Sequence, residues 1–207
     1  MKIEQLCVSY GAQTVLADFS LSLPETGAVA LMGPTGCGKT TLLRVLSGLL
    51  KPQSGRVHGL AGKRVAVLFQ EDRLLPWLSA RDNVAAVLEK GETARAEQAL
   101  RDVGLPESAF DKRPAALSGG MRQRVALARL LAYGGDVWLL DEPFKGLDAD
   151  SRAHVMQTVR RAGQGKLIVL VTHEKAEAQA LSERIVTLTG PPLRLVEEPD
   201  AGCPRER

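Results

Sequence analysis

An apolar run, Ala28-Val29-Ala30-Leu31-Met32, leads directly into Gly33-Pro34-Thr35-Gly36-Cys37-Gly38-Lys39-Thr40, and Thr41-Leu-Leu-Arg-Val-Leu-Ser-Gly48 leaves it with helical apolar spacing. A strand that enters a glycine-rich turn and leaves as a helix is the unit of an α/β sheet, and these residue types suit one chemistry. Glycines let successive backbone N–H groups turn inward around a phosphate with no Cβ in the way. The helix that begins near Lys39 points its positive end at the same anion. Lys39 can reach the β- and γ-phosphates as a point charge, and the Thr40 hydroxyl can ligate Mg²⁺. The segment Gly33, Pro34, Thr35, Gly36, Cys37, Gly38, Lys39, Thr40 and Thr41 therefore predicts a site for a nucleoside triphosphate.

The rest of the chain supplies the sheet such a loop needs. Lys2 to Val8 and Phe19 to Leu23 read as alternating strands around the turn Tyr10-Gly-Ala-Gln. Val65 to Phe69, Val137 to Leu140 and Leu167 to Val171 are continuous apolar runs, as strands buried on both faces require. Helical spacing covers Asp150 to Ala162. Between Glu71 and Tyr133 the pattern is nearly all helix: a capping-box variant at Ser79-Ala-Arg-Asp82 opens one running to about Glu89, followed by Thr93 to Val103 and Gly119 to about Ala132. Alternating strands and helices predict a mostly parallel sheet with ligand at the carboxyl ends of its strands. Gly190-Pro-Pro and the Pro/Glu-rich end read as a last short strand and a frayed tail.

At 207 residues the chain has the length of one large domain, or of one with a small appendage. It can bury roughly 70% of its extended surface without disulfide or metal staples. Cys7, Cys37 and Cys203 are odd in number and widely spaced, which suits a reducing cytosol. Cys37 is either a small side chain filling the loop or a thiol whose alkylation would block nucleotide entry. A net charge of +3 is too mild to argue for nucleic acid. No stretch of 18 apolar residues and no signal-peptide core is visible, so the expectation is a soluble protein that stays inside the cell.

A second constellation narrows the chemistry. Leu139-Leu-Asp141-Glu142-Pro143 ends a buried strand with two carboxylates. There Asp141 can hold Mg²⁺, directly or through its water, and Glu142 can polarise an attacking water; two acids in a solvated turn are the bland alternative. Between the loop and these acids lies Leu117-Ser118-Gly119-Gly120-Met121, followed by the basic helical stretch Arg122 to Arg129.

Taken in this order, the chain resembles the ATP-binding cassette (ABC) ATPases over nearly its whole length. The resemblance implies a single α/β domain of the P-loop NTPase class, with a mostly parallel core, N-terminal antiparallel strands and an inserted helical subdomain. Residues 1–70 and 134–207 would be the nucleotide-binding core, and residues 71–133 the helical subdomain. Tyr10 resembles the aromatic that stacks on adenine. Gln70 resembles the glutamine that joins Mg²⁺ and the attacking water to the helical part. Ser118-Gly119-Gly120 resembles the signature motif, Gly146-Leu147-Asp148 the loop across a dimer interface, and His173 the switch histidine. Each has a plain rival: packing for the tyrosine, a surface amide for the glutamine, a cap residue for the histidine. His58 and His154 match no motif and read as surface residues.

What the resemblance implies is an ATPase that works with ATP and Mg²⁺ as a head-to-tail dimer of two such chains, each signature closing on the γ-phosphate held by the other. Met121 departs from the usual signature glutamine, and Lys145 adds a charge beside Gly146. The end of the chain comes soon after the last expected strand, so the regulatory domain of some importer subunits is expected to be absent. Leu74-Leu75-Pro76-Trp77 puts apolar bulk in a loop, which suggests either a docking surface or a loop folded back on the helices. Together with Asp82-Asn83-Val84 it looks most like subunits of bacterial importers for nitrate, sulfonate and taurine. The implied partners are membrane permease subunits and a solute-binding protein, at the inner face of the cell membrane. An ABC-type ATPase without transport would usually need long coiled coils or a second cassette. A phosphate-loop kinase would leave Leu117 to Gly120, Gln70 and His173 without work.

Overall fold

The apolar strands are too short and too uniformly hydrophobic to leave a face in water, so they require cover on both sides. In the computed structural model, which describes residues 1–196, the elements run Lys2–Tyr10 (β1), Gln13–Ser22 (β2), Gly27–Met32 (β3), Lys39–Leu46 (α1), Ser54–His58 (β4), Val65–Leu68 (β5), Ala80–Ala85 (α2), Thr93–Asp102 (α3), Gly119–Tyr133 (α4), Val137–Asp141 (β6), Ala149–Ala162 (α5), Leu167–Val171 (β7), Lys175–Leu181 (α6), Arg184–Thr189 (β8) and Arg194–Leu195 (β9). The central sheet has the order β5-β6-β7-β3-β8-β9, parallel except for β9. A separate antiparallel sheet, β2-β1-β4, lies over one of its faces.

Successive residues of the central strands point to opposite faces, and the two faces build two cores. From β6, Val137 and Leu139 pack with Leu6, Leu16 and Leu42 of the antiparallel sheet and α1. Trp138 and Leu140 pack instead with Val84, Leu100, Leu127 and Val155 of α2 to α5. The same division splits β7, with Val169 on the first face and Leu170 on the second. Each such side chain removed from water contributes about 1.5–3 kcal/mol. The carboxyl ends of β3, β6 and β7 are thereby fixed side by side.

Several elements differ from the sequence expectation. β2 starts at Gln13 rather than Phe19, because bulges with φ of +50° at Gln5 and +53° at Asp18 break the alternation of the hairpin and bury Val15 and Leu16 in succession. α2 ends at Ala85 rather than near Glu89. The chain tightens there through Leu88 N–H to the Ala85 carbonyl, and the Glu92 carboxylate accepts the Glu89 N–H. Residues 71–79 form a loop, and only single 3₁₀ turns occur at Glu107–Ala109 and Pro114–Ala116, so the stretch is less helical than its pattern implies. Residues 190–192 turn rather than extend; the strand expected there is β9, and β4, α6 and β8 are additional. The tail expected to fray, and Cys203, lie outside the described residues. Among the described residues no helix is long and apolar enough to cross a membrane.

Candidate functional site

Three glycines shape the loop between β3 and α1. Gly36 and Gly38 take φ of +83° and +117°, conformations that side chains rarely adopt. A Cβ on Gly33 would collide with the Leu188 carbonyl oxygen, and one on Gly38 would lie 2.9 Å from Val15 Cγ1, so the β1–β2 hairpin presses against the loop. Pro34, Thr35 and Gly36 are exposed, whereas Thr41 is buried on the inner side of α1. The Lys39 ammonium lies over the loop, donating to the carbonyls of Gly33 at 2.7 Å and Pro34 at 2.8 Å. Cys37 is fully buried in the core behind it, so the small-side-chain alternative describes its place and the thiol is not at the loop surface.

The acid pair meets this loop. Thr40 Oγ1 donates to Asp141 Oδ2 at 2.7 Å, across 101 residues of sequence. Asp141 is 2% exposed, and burial pushes its carboxyl above the ordinary range, with the Thr40 hydrogen bond opposing and the Glu142 charge adding to the shift. Hydroxyl and carboxylate oxygens converging here are the hard donors that Mg²⁺ takes, usually with phosphate and water completing the shell. Among the described residues no group of three His, Cys, Asp or Glu side chains is placed to cage a metal. A site completed by phosphate oxygens therefore fits the residues present.

Glu142 breaks from the strand with φ of +50°, a left-handed conformation that the surroundings must enforce. Its N–H donates to the Val171 carbonyl at 2.9 Å, so β7 holds the residue at the turn. Its carboxylate oxygens both lie 2.9 Å from His173 Nδ1. That pairing pushes the exposed imidazole above its usual value, the hydrogen bond with Glu142 first and its charge second. Gln70 lies exposed two residues beyond Leu68, whose register partner on β6 is Leu140; Glu142 lies two beyond Leu140. One sheet edge thus gathers the loop, Asp141, Glu142, His173 and Gln70.

The remaining candidates form other clusters. Ser118 caps α4, its Oγ accepting the Met121 N–H at 3.2 Å, and it stays exposed with Gly119. Gly120 leaves room for Gly146, whose carbonyl oxygen would lie 2.9 Å from a Cβ there. Asp148 caps α5 by accepting the Ser151 N–H at 2.9 Å, a bond that holds its carboxyl below the usual range. The signature-like and Gly146–Asp148 segments are therefore neighbours. Tyr10 is 46% exposed at the end of β1. Met121 is half-buried against the helical core, which accommodates its apolar side chain, and Lys145 is exposed.

Two buried amides hold loops in ways that the sequence motifs do not announce. Gln123 Nε2 donates to the Pro143 carbonyl at 2.7 Å, tying α4 to the turn after Glu142. Asn83, fully buried, accepts the Leu75 N–H at 2.7 Å and donates to the carbonyls of Leu75, Leu78 and Ser79. The signal for it was an amide on the same buried helix face as Ala80 and Val84. The apolar loop it organises divides the two alternatives: Leu74 packs back on the core, while Trp77 projects with 65% exposure.

The chain is similar to known proteins over most of its length. The family model described as ABC transporter matches residues 16–145. The taurine import ATP-binding protein TauB of Pseudomonas aeruginosa is 44% identical over 202 residues, covering 89% of this chain and 75% of the relative. The aliphatic sulfonates import ATP-binding protein SsuB 3 of Pseudomonas syringae is 43% identical over 198 residues, covering 91% and 72%. A dimeric structure of a post-hydrolysis state of the ATP-binding cassette MJ0796, bound to ADP and Pi, superposes with a TM-score of 0.83 at 28% identity, covering 95% of this chain and 99% of that one.

Proposed function

Because the chain belongs to the ABC transporter family, we propose that its ATP hydrolysis powers import of a small solute of the taurine and aliphatic-sulfonate kind, the cargo in the names of its relatives. The observation that carries the site assignment is the Thr40–Asp141 bond, which joins the phosphate loop to the acid pair. In this reading residues 1–70 and 134–207 are the nucleotide-binding core, and residues 71–133 the helical subdomain.

Lys39 and the N–H groups of Gly33 to Thr41 hold the triphosphate, with Tyr10 against the adenine. Thr40, Asp141 and Gln70 would hold Mg²⁺, which would supply positive charge against the phosphates. Glu142 orients the attacking water and takes its proton. His173, fixed through Glu142, contacts the γ-phosphate, and Lys39 stabilises charge developing on the leaving side.

The N–H groups of Ser118, Gly119 and Gly120, at the start of α4, form an anion site with no phosphate of their own. A second copy packed head to tail supplies one, and Asp148 lies at that interface. ATP favours the closed dimer because it touches both chains, and loss of the γ-phosphate removes the preference. The opening and closing moves a permease that binds the Trp77 surface at the inner face of the membrane, with a solute-binding protein delivering cargo outside.

The test is phosphate release by the purified chain with no acceptor present. Glu142→Gln should retain ATP binding while turnover falls roughly 10²–10⁴-fold, the usual worth of a general base. Unchanged hydrolysis would remove Glu142 from the role.

A further inference from the structure

The loop after Gln70 is held by α4 through contacts that no motif announces. Arg129 donates to the carbonyls of Asp72 and Arg73, both at 3.0 Å. Arg122 donates from Nε to the Asp72 carboxylate at 3.0 Å and from Nη1 to the Leu117 carbonyl at 3.1 Å. The other Asp72 oxygen accepts the Leu74 N–H at 3.3 Å, closing an Asx turn. Arg73 is kept at φ of +46°, with its guanidinium 3.7 Å from the Phe69 ring centroid. A non-glycine residue persists in that conformation only where neighbours enforce it, and here the enforcing groups come from α4.

Leu117 directly precedes Ser118, and Asp72 lies two residues after Gln70. One planar guanidinium therefore grips both segments, with its donors held in a fork of fixed geometry. Under the roles proposed above, on which this inference rests, Gln70 serves the nucleotide held by its own chain and Ser118 the nucleotide held by the second copy. We propose that Arg122, braced by Arg129, is a positioning residue that locks the placement of Gln70 to the placement of Ser118, so that the two ATP sites of the dimer respond to each other through the Arg122–Asp72 bridge. Sites couple when one connected element is biased from both ends, and the Arg122–Asp72 bridge is such an element. The ion pair is partly exposed, with side chains 39% and 30% accessible, so it adds little to folding and can be cut without losing the protein.

Hydrogen exchange on the full chain reads the coupling directly. Asp72→Ala should accelerate amide exchange at Gly119 to Met121 about fivefold or more, and Arg122→Ala should do the same at Gln70 to Leu74, the low end of ordinary coupling. Exchange in β3 and β7 should stay unchanged, which certifies the fold. In steady-state ATPase assays each variant should lower kcat about fivefold with KM within about twofold, and the double variant should be no worse than the poorer single. Asp72→Asn keeps one acceptor oxygen where the carboxylate offers Oδ2 to Arg122 and Oδ1 to the Leu74 N–H, so it should recover the turnover only in part. Unaltered exchange at the far end, or losses that multiply in the double variant, would overturn the inference. A wild-type chain without ATPase activity would sink the proposed function instead, and the exchange experiment still decides the bridge.

Discussion

Asn83→Ala removes the side chain that shapes the Leu75–Ser79 loop, and its consequence can be worked from four hydrogen bonds. The 2.7 Å bond from Leu75 N–H is the shortest of them, and truncation leaves that donor facing a site from which the fully buried amide excluded water. A stranded buried donor costs about 1–3 kcal/mol. The carbonyls of Leu75, Leu78 and Ser79, at 3.1, 3.3 and 3.0 Å, lie in a half-buried loop that water reaches after rearrangement, so they add a smaller loss. The total is about 2–3 kcal/mol, or a fall of roughly 4–12 °C in Tm for a chain of this size. Asn83→Asp should be worse, because it keeps the acceptor for Leu75 but turns a carboxylate toward three carbonyl oxygens. Thermal unfolding by circular dichroism measures the first effect. Tryptophan emission measures the second, since Trp77 is 65% exposed and Trp138 only 1%, so a rearranged loop changes the Trp77 signal alone. Basal ATP binding should persist in both variants. An Asn83→Ala protein melting within about 2 °C of wild type would show that the loop holds its shape without the amide, and would refute the reasoning.

Lys39→Ala should weaken ATP binding roughly a hundredfold or more, the worth of one or two charged hydrogen bonds, and titration with a fluorescent nucleotide analogue would show it. The folded protein favours protonated His173 through Glu142, so the pair's stabilisation is fully present below the unfolded histidine value of about 6.5 and is lost as pH rises through the higher folded value. An NMR titration should accordingly place the His173 midpoint above 6.5 and return it toward that value in Glu142→Gln; equal midpoints in the two proteins would break the assignment.

Local signals made the phosphate loop legible: an apolar strand, a glycine turn and a helix start are contiguous, and the structure keeps them so from Gly27 to Leu46. Asp141 was visible for the same reason, as the polar end of a buried run. What stayed hidden depends on distant partners. The left-handed backbone of Glu142 is imposed by the Val171 carbonyl, and nothing in Asp-Glu-Pro encodes it. β4 becomes a strand because β1 pairs with it, not because Ser-Gly-Arg-Val-His favours extension. β8 hides in an alternating Arg-Ile-Val-Thr-Leu-Thr until its register against β3 reveals it as a central strand. The bulges in the first hairpin are invisible in a pattern that assumes strict alternation.

The division of Val137–Asp141 between two cores limits how this gene can change in length. One codon inserted in β6 would exchange every inward face, sending the Trp138 indole, now bonded to the Gly134 carbonyl at 2.7 Å, toward α1 and leaving Asp141 out of reach of Thr40. The exposed turn around Lys90 and Gly91 carries no such parity, so insertions and deletions are tolerated there and forbidden in the strand, and a tag or fused domain belongs at that turn.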